Sequence, residues 1–195
     1  PAVIEGLAPI WVDVDGDAER EIVVTVSQEG LGARMELYSE TGAQLATGPW
    51  IGTGFRWRHQ IAVGPLAPDG GHGLVVVRTP HIGGQPEFYR WVEDQLRLEA
   101  TESQSTYQSH VLYWRNLDMA LAGDFDGDGR AELLAPSQSR TSLGAVGWEA
   151  SGATTRWQVP VGGRVTTNLA AAALGDGRVA VGVGHDGRAV RLWLP

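Results

Sequence analysis

The chain has 195 residues, 43% of them hydrophobic, with a formal net charge of −8 and no cysteine. That length can bury a substantial core in a single domain spanning residues 1–195, and the missing cysteine excludes disulfides, zinc–thiolate sites and thiol catalysis. The basic residues are all arginine and are dispersed along an acidic chain, which excludes a nucleic-acid face, and no apolar run of about 18 residues exists to span a membrane.

In chain order, a short apolar stretch Ala2-Val-Ile4 comes first, then a strand Ile10-Trp11-Val12. Asp13-Val-Asp15-Gly-Asp17-Ala-Glu19-Arg-Glu21 follows, with carboxylates at positions 1, 3, 5 and 9, and runs straight into the apolar strand Ile22-Val23-Val24. The same pattern returns at Asp124-Phe-Asp126-Gly-Asp128-Gly-Arg130-Ala-Glu132, ahead of Leu133-Leu134-Ala135. A hard cation takes about six to eight oxygens, and alternate side chains on a curled loop can point inward together while the backbone carbonyl of position 7, Glu19 or Arg130, supplies another. Four like charges this close repel unless a cation compensates them. One or two Ca2+ ions are therefore expected, at Asp13, Asp15, Asp17 and Glu21 and at Asp124, Asp126, Asp128 and Glu132. Neither loop is an EF-hand, because position 12 is Val24 in one and Ala135 in the other. The second loop should be the better site, since Ala18 stands where the second has Gly129 and a Cβ resists a left-handed conformation.

The strands after each loop also mark a repeat. Ile22, Leu74, Leu133 and Val181 are spaced by 52, 59 and 48 residues. Each repeat continues to an aromatic, Tyr38, Trp91, Trp148 or Trp193, read as packing between neighbouring units. Repeats two and four keep the spacing without the acids, with Gly64-Pro-Leu-Ala-Pro-Asp69 and Ala173-Leu-Gly-Asp176-Gly-Arg in the loop positions. Candidate fourth strands lie at residues 43–47, 95–100 and 155–159, and the Ala-rich segment 169–174 reads as a strand despite its helix propensity.

The two acidic loops resemble those of FG-GAP and VCBS repeats, the integrin-α-like calcium loops, whose pattern is Asp-x-Asp-Gly-Asp-Gly before a short apolar strand. The resemblance implies an all-β fold: a β-propeller of four-stranded antiparallel blades, with repeats at about 8–50, 57–103, 114–160 and 164–195. Residues 1–5 would then be the closing strand of a four-bladed ring, or the chain would be part of a larger propeller with a tendency to form homo-oligomers. A chain that starts at Pro1 is expected to be a mature or excised piece of a longer product.

In a propeller, the loops leading into the innermost strands share one face, opposite the calcium loops. Arg56, Trp57 and His59, Arg78 and His81, and His110, Trp114, Arg115 and Asn116 would gather there. Aromatic faces interleaved with planar hydrogen-bonding groups suit a glycan or a protein ligand. Asn116 and Asn168 occupy equivalent positions and should bond to backbone groups. No nucleophile elbow, phosphate loop or dinucleotide fingerprint is present, and Asp118 is a lone carboxylate where a glycosidase needs two. The expectation is a calcium-stabilised extracellular or periplasmic binding module, not an enzyme. The alternatives are a structural or self-assembling scaffold and an enzyme acting on polysaccharide.

Overall fold

A computed structural model describes every residue except 7, 176, 177 and 195. Among the described residues the chain is all β, and no helix is long and apolar enough to cross a membrane. The strands are β1 (Ala2–Ile4), β2 (Ile10–Val12), β3 (Glu21–Gln28), β4 (Gly32–Ser39), β5 (Gln44–Thr47), β6 (Arg58–Gly64), β7 (Gly73–Arg78) and β8 (Gln85–Val92). They continue with β9 (Gln95–Thr101), β10 (Leu121–Gly123), β11 (Glu132–Pro136), β12 (Ser142–Glu149), β13 (Gly152–Pro160), β14 (Val165–Ala173), β15 (Val179–His185) and β16 (Ala189–Trp193).

Continuous apolar runs reflect strands buried on both faces, whose alternate side chains enter different cores. In β7, Leu74 and Val76 join Val23, Met35, Leu37 and Tyr89, whereas Val75 and Val77 join Phe88, Leu133, Ala135 and Trp148. In β11, Leu134 turns the other way and packs with Leu143, Ala145, Val181 and Val183. Three apolar layers result, each filled from strands on both sides. Trp148 is buried in one of them with its ring 5.9 Å from that of Phe88, and Trp91 and Trp193 pack against the other two. Tyr38 is half-buried and bonds to Glu36 through its hydroxyl.

The sheets do not form four separate four-stranded blades. Thr47 of β5 pairs in parallel with Gln95 of β9, which joins the first two strand groups into one curled, mixed half-barrel sheet of nine strands in the order β1-β3-β4-β5-β9-β8-β7-β6, with β2 also on β3. The physical cause is an unpaired edge: β5 is only four residues long, and the β8–β9 turn brings Asp94 to it, where Thr47 N–H donates to the Asp94 carbonyl at 3.2 Å. Beside this sheet lie a four-stranded antiparallel sheet, β10-β11-β12-β13, and a three-stranded one, β14-β15-β16.

The N-terminal strand also lies elsewhere than expected. β1 pairs with β3, Ala2 opposite Gln28 and Ile4 opposite Val26, on the edge that β2 occupies further along, with Ile10 opposite Val23. Backbone pairing with β3 is what holds it, and among the described residues β16 pairs with β15 alone. The segment 169–174 falls largely in β14, as a strand, but its alanines 170–173 are exposed instead of crowded. The loop position of the fourth repeat includes Asp176 and Gly177, which lie outside the described residues.

Candidate functional site

The two acidic loops fold alike, bond for bond. In the first, Gly16 N–H and Ala18 N–H donate to Asp13 at 2.6 and 3.0 Å, Asp17 N–H to Asp15 at 3.2 Å, Glu19 N–H to Asp17 at 2.8 Å and Val14 N–H to Glu21 at 2.8 Å. In the second, Gly127 and Gly129 donate to Asp124 at 2.6 and 2.9 Å, Asp128 to Asp126 at 3.2 Å, Arg130 to Asp128 at 2.8 Å and Phe125 to Glu132 at 3.1 Å. Both loops need a left-handed residue at their sixth position, and Ala18 adopts it, with φ of 71° against 85° for Gly129.

Asp13, Asp15 and Asp17 bring carboxylate oxygens within 4.8 Å of one another, as do Asp124, Asp126 and Glu132. The donor sets are all hard oxygen, which fits a calcium-type cation and not a thiophilic metal. Glu132 is fully buried, and burial raises its carboxyl to about 7; burial raises Glu21 as well. A buried carboxylate asks for a compensating charge, which a divalent ion in the loop would supply. In the second loop, part of that charge comes from a side chain. Nη1 of Arg156, on β13, lies 3.0 Å from Asp128, 3.5 Å from Glu132 and 3.7 Å from Asp126.

At the far ends of β3 and β7, away from these loops, a cavity of about 630 Å³ opens. β3 begins at Glu21 beside the first loop and ends at Gln28 on the cavity wall, a run of about 23 Å at strand rise. The cavity is walled by Phe55, Arg56 and Trp57 ahead of β6, by Thr79, His81 and Ile82 of the β7–β8 hairpin, by Glu29 and by Leu112. Several of these are apolar groups held out in water: Phe55 is 97% exposed, Ile82 74% and Leu112 52%. Phe55 and Thr79 carry φ of 55° and 51°, and nearby Tyr113, 94% exposed, has φ of 66°. Non-glycine residues seldom accept such angles, and strain of this kind gathers at sites that bind.

At the cavity wall, Trp57 is the hub of three imidazoles. Its ring stacks on His59 at 4.9 Å and lies 5.5 Å from His81 and 5.6 Å from His110. His81 and His110 share a hydrogen bond between their Nδ1 atoms at 2.8 Å, and His59 Nδ1 bonds to the Ser109 hydroxyl at 2.9 Å. Burial drives all three imidazoles toward the neutral form, pushing His59 down to about 4. Among the described residues, Trp57 Nε1 and His110 Nε2 are buried and meet no hydrogen-bond partner.

Of the residues expected on this face, Arg56, Trp57 and His81 line the cavity, while His59 and His110 stand behind Trp57. Arg78 pairs with buried Glu87 at 3.1 Å. Trp114 is covered by Arg140, whose guanidinium carbon is 4.5 Å from its ring, and Arg115 is exposed outside the cavity lining. Asn116 donates through Nδ2 to the Thr166 carbonyl, and Asn168 Oδ1 accepts from Asp118 N–H at 3.2 Å, so the two amides tie the segment ahead of β10 to β14. Phe55, Thr79, Ile82, Leu112 and Arg156 are absent from the sequence-based expectation. The run Gly52-Thr-Gly54 before Phe55 was the one local signal of an unusual loop there.

No protein-family model matches the sequence, and comparison with curated proteins gives no match. The fold is similar to that of Bacillus licheniformis rhamnogalacturonan lyase PL11, with a TM-score of 0.62 and 15% sequence identity over 92% of this chain and 40% of that one. At this identity the likeness is one of fold, and the chain spans about two fifths of its neighbour's length. The FG-GAP/VCBS assignment is thereby corrected. The acidic loops are a short local pattern, and neither a family match nor the sheet pairing extends it to the whole chain.

Proposed function

We propose that the chain is a carbohydrate-binding β module that takes a glycan in the cavity beside Trp57, on a frame fixed by calcium in its acidic loops. The observation that carries this reading is the cavity wall itself: Trp57, Phe55, Ile82 and Leu112 offer apolar faces for sugar rings, beside the polar side chains of Arg56, His81, Glu29 and Gln28. Sugars are bound by that pairing of a stacking surface with a few placed hydrogen bonds. Binding is favoured over catalysis because His81 and His110 use their Nδ1 atoms on each other. Calcium loops of ordinary affinity fill where calcium is plentiful, so an extracellular setting accompanies this reading.

The named substrate of the structural neighbour makes rhamnogalacturonan oligosaccharides the first glycans to try. Calorimetric titration in calcium buffer should give saturable binding that Trp57→Ala and Phe55→Ala weaken at least about tenfold, about 1.4 kcal/mol, with the melting temperature of Phe55→Ala nearly unchanged. Unaltered affinity in both variants would remove the cavity from the binding reading.

A further inference from the structure

We infer that Arg156 is a built-in rival to the metal ion, so that the first acidic loop is the tighter calcium site and the second takes the ion only by displacing a guanidinium. The inference rests on the calcium reading above and concerns how this chain's own residues set it.

The two loops share the same five backbone hydrogen bonds, so their intrinsic preference for a cation is similar. They differ in what faces them. In the first loop the described contacts to Asp13, Asp15, Asp17 and Glu21 are backbone amides. In the second, Arg156 Nη1 stands among Asp126, Asp128 and Glu132. The acids that gather also differ: Asp13, Asp15 and Asp17 in the first loop, and Asp124, Asp126 and Glu132 in the second. Asp128 accepts from Arg156 at 3.0 Å, and Arg130 Nε is 3.6 Å from it.

The position of Arg156 is built in. Its side chain is 12% exposed and crosses the face of Gly147 on β12, where a Cβ would come within 2.1 Å of its Nε. Glu149 holds that Nε at 2.7 Å. Glu149 also provides a seat when the guanidinium tip leaves the loop, so an arriving ion need not strand the charge. The guanidinium sets a positive charge against Asp126, Asp128 and Glu132, so an arriving cation meets its repulsion until the tip withdraws.

The test isolates each loop in the full chain. Calorimetric titration with calcium chloride of Asp126→Asn, which leaves the first loop, and of Asp15→Asn, which leaves the second, should show the second weaker by at least about tenfold. Adding Arg156→Gln to Asp15→Asn should tighten the remaining site by a similar factor. If that substitution leaves calcium affinity unchanged or lowers it, the inference is overturned. Should Arg156→Gln not fold, the Nε–Hε resonance of Arg156 in the Asp15→Asn chain gives the answer: it must move as calcium saturates, and a stationary resonance at saturation overturns the inference. Absence of calcium binding in every variant, the unsubstituted chain included, would overturn the calcium reading itself and this inference with it.

Discussion

His81 and His110 meet through their Nδ1 atoms at 2.8 Å, so one ring donates and the other accepts, and a single proton lies between them. Both rings, with His59, crowd around Trp57, which with His81 lines the cavity. The cluster keeps its geometry only while the imidazoles stay largely neutral.

That has a pH signature. The His59 pKa in the folded chain, about 4, lies below the ordinary value of 6.5, so the unfolded chain takes up the proton first. Stability is complete above about pH 6.5 and falls as pH drops toward 4, by about 3 kcal/mol from this group. Urea unfolding from pH 7 to pH 4 should show the decline, and His59→Gln should flatten it. An equal decline in the variant would place the acid sensitivity elsewhere.

Removal of calcium should lower the melting temperature. An ion bound only by the folded chain adds about 2.7 kcal/mol at a hundredfold excess over its dissociation constant, a shift of several degrees for a chain of this size. Asp15→Asn should abolish most of the difference between melts in millimolar calcium and in EDTA, since it disables the loop without a competing guanidinium. If Asp126→Asn abolishes more, the ordering of the two loops is reversed.

Ala18 and Gly129 make a matched pair. Ala18 holds φ of 71° in a loop whose twin uses glycine at 85°, and a left-handed alanine costs about 1–2 kcal/mol before the flexibility of glycine in the unfolded chain offsets part of it. Ala18→Gly should therefore stabilise by about 0.5–1 kcal/mol, and Gly129→Ala should destabilise by a similar amount, because nothing lies within 4 Å of a Cβ there. Denaturant midpoints for the two variants check both signs. Shifts of the same sign would contradict the equivalence of the loops.

The acidic loops were legible in the sequence because their chemistry is local. The spacing of Asp13, Asp15 and Asp17 fixes which side chains converge, and the turn closes on its own amides. The strand order within each group was legible for a similar reason, since consecutive apolar segments joined by short turns pair with their neighbours. What failed depended on distant pairings. The Thr47–Gln95 contact that fuses two strand groups, and the pairing of Ala2 with Gln28, leave no periodic trace in the residues involved. Arg156 meets acids 24 to 30 positions away, so its effect on the second loop was invisible, and the expected ordering of the loops rested on Ala18 alone. At the cavity, Arg56, Trp57 and His81 were readable as polar and aromatic types in loops. Phe55, Ile82 and Leu112 were not, because only the fold reveals that their apolar side chains face water.

Glycan binding at the cavity is read out by an amide NMR titration of the calcium-loaded chain with rhamnogalacturonan oligosaccharides. Saturable shifts should centre on Phe55, Trp57, Thr79, Ile82 and Leu112, the residues of the cavity wall. Shifts confined to the acidic loops, or none at all with a panel of acidic and neutral oligosaccharides, would contradict it.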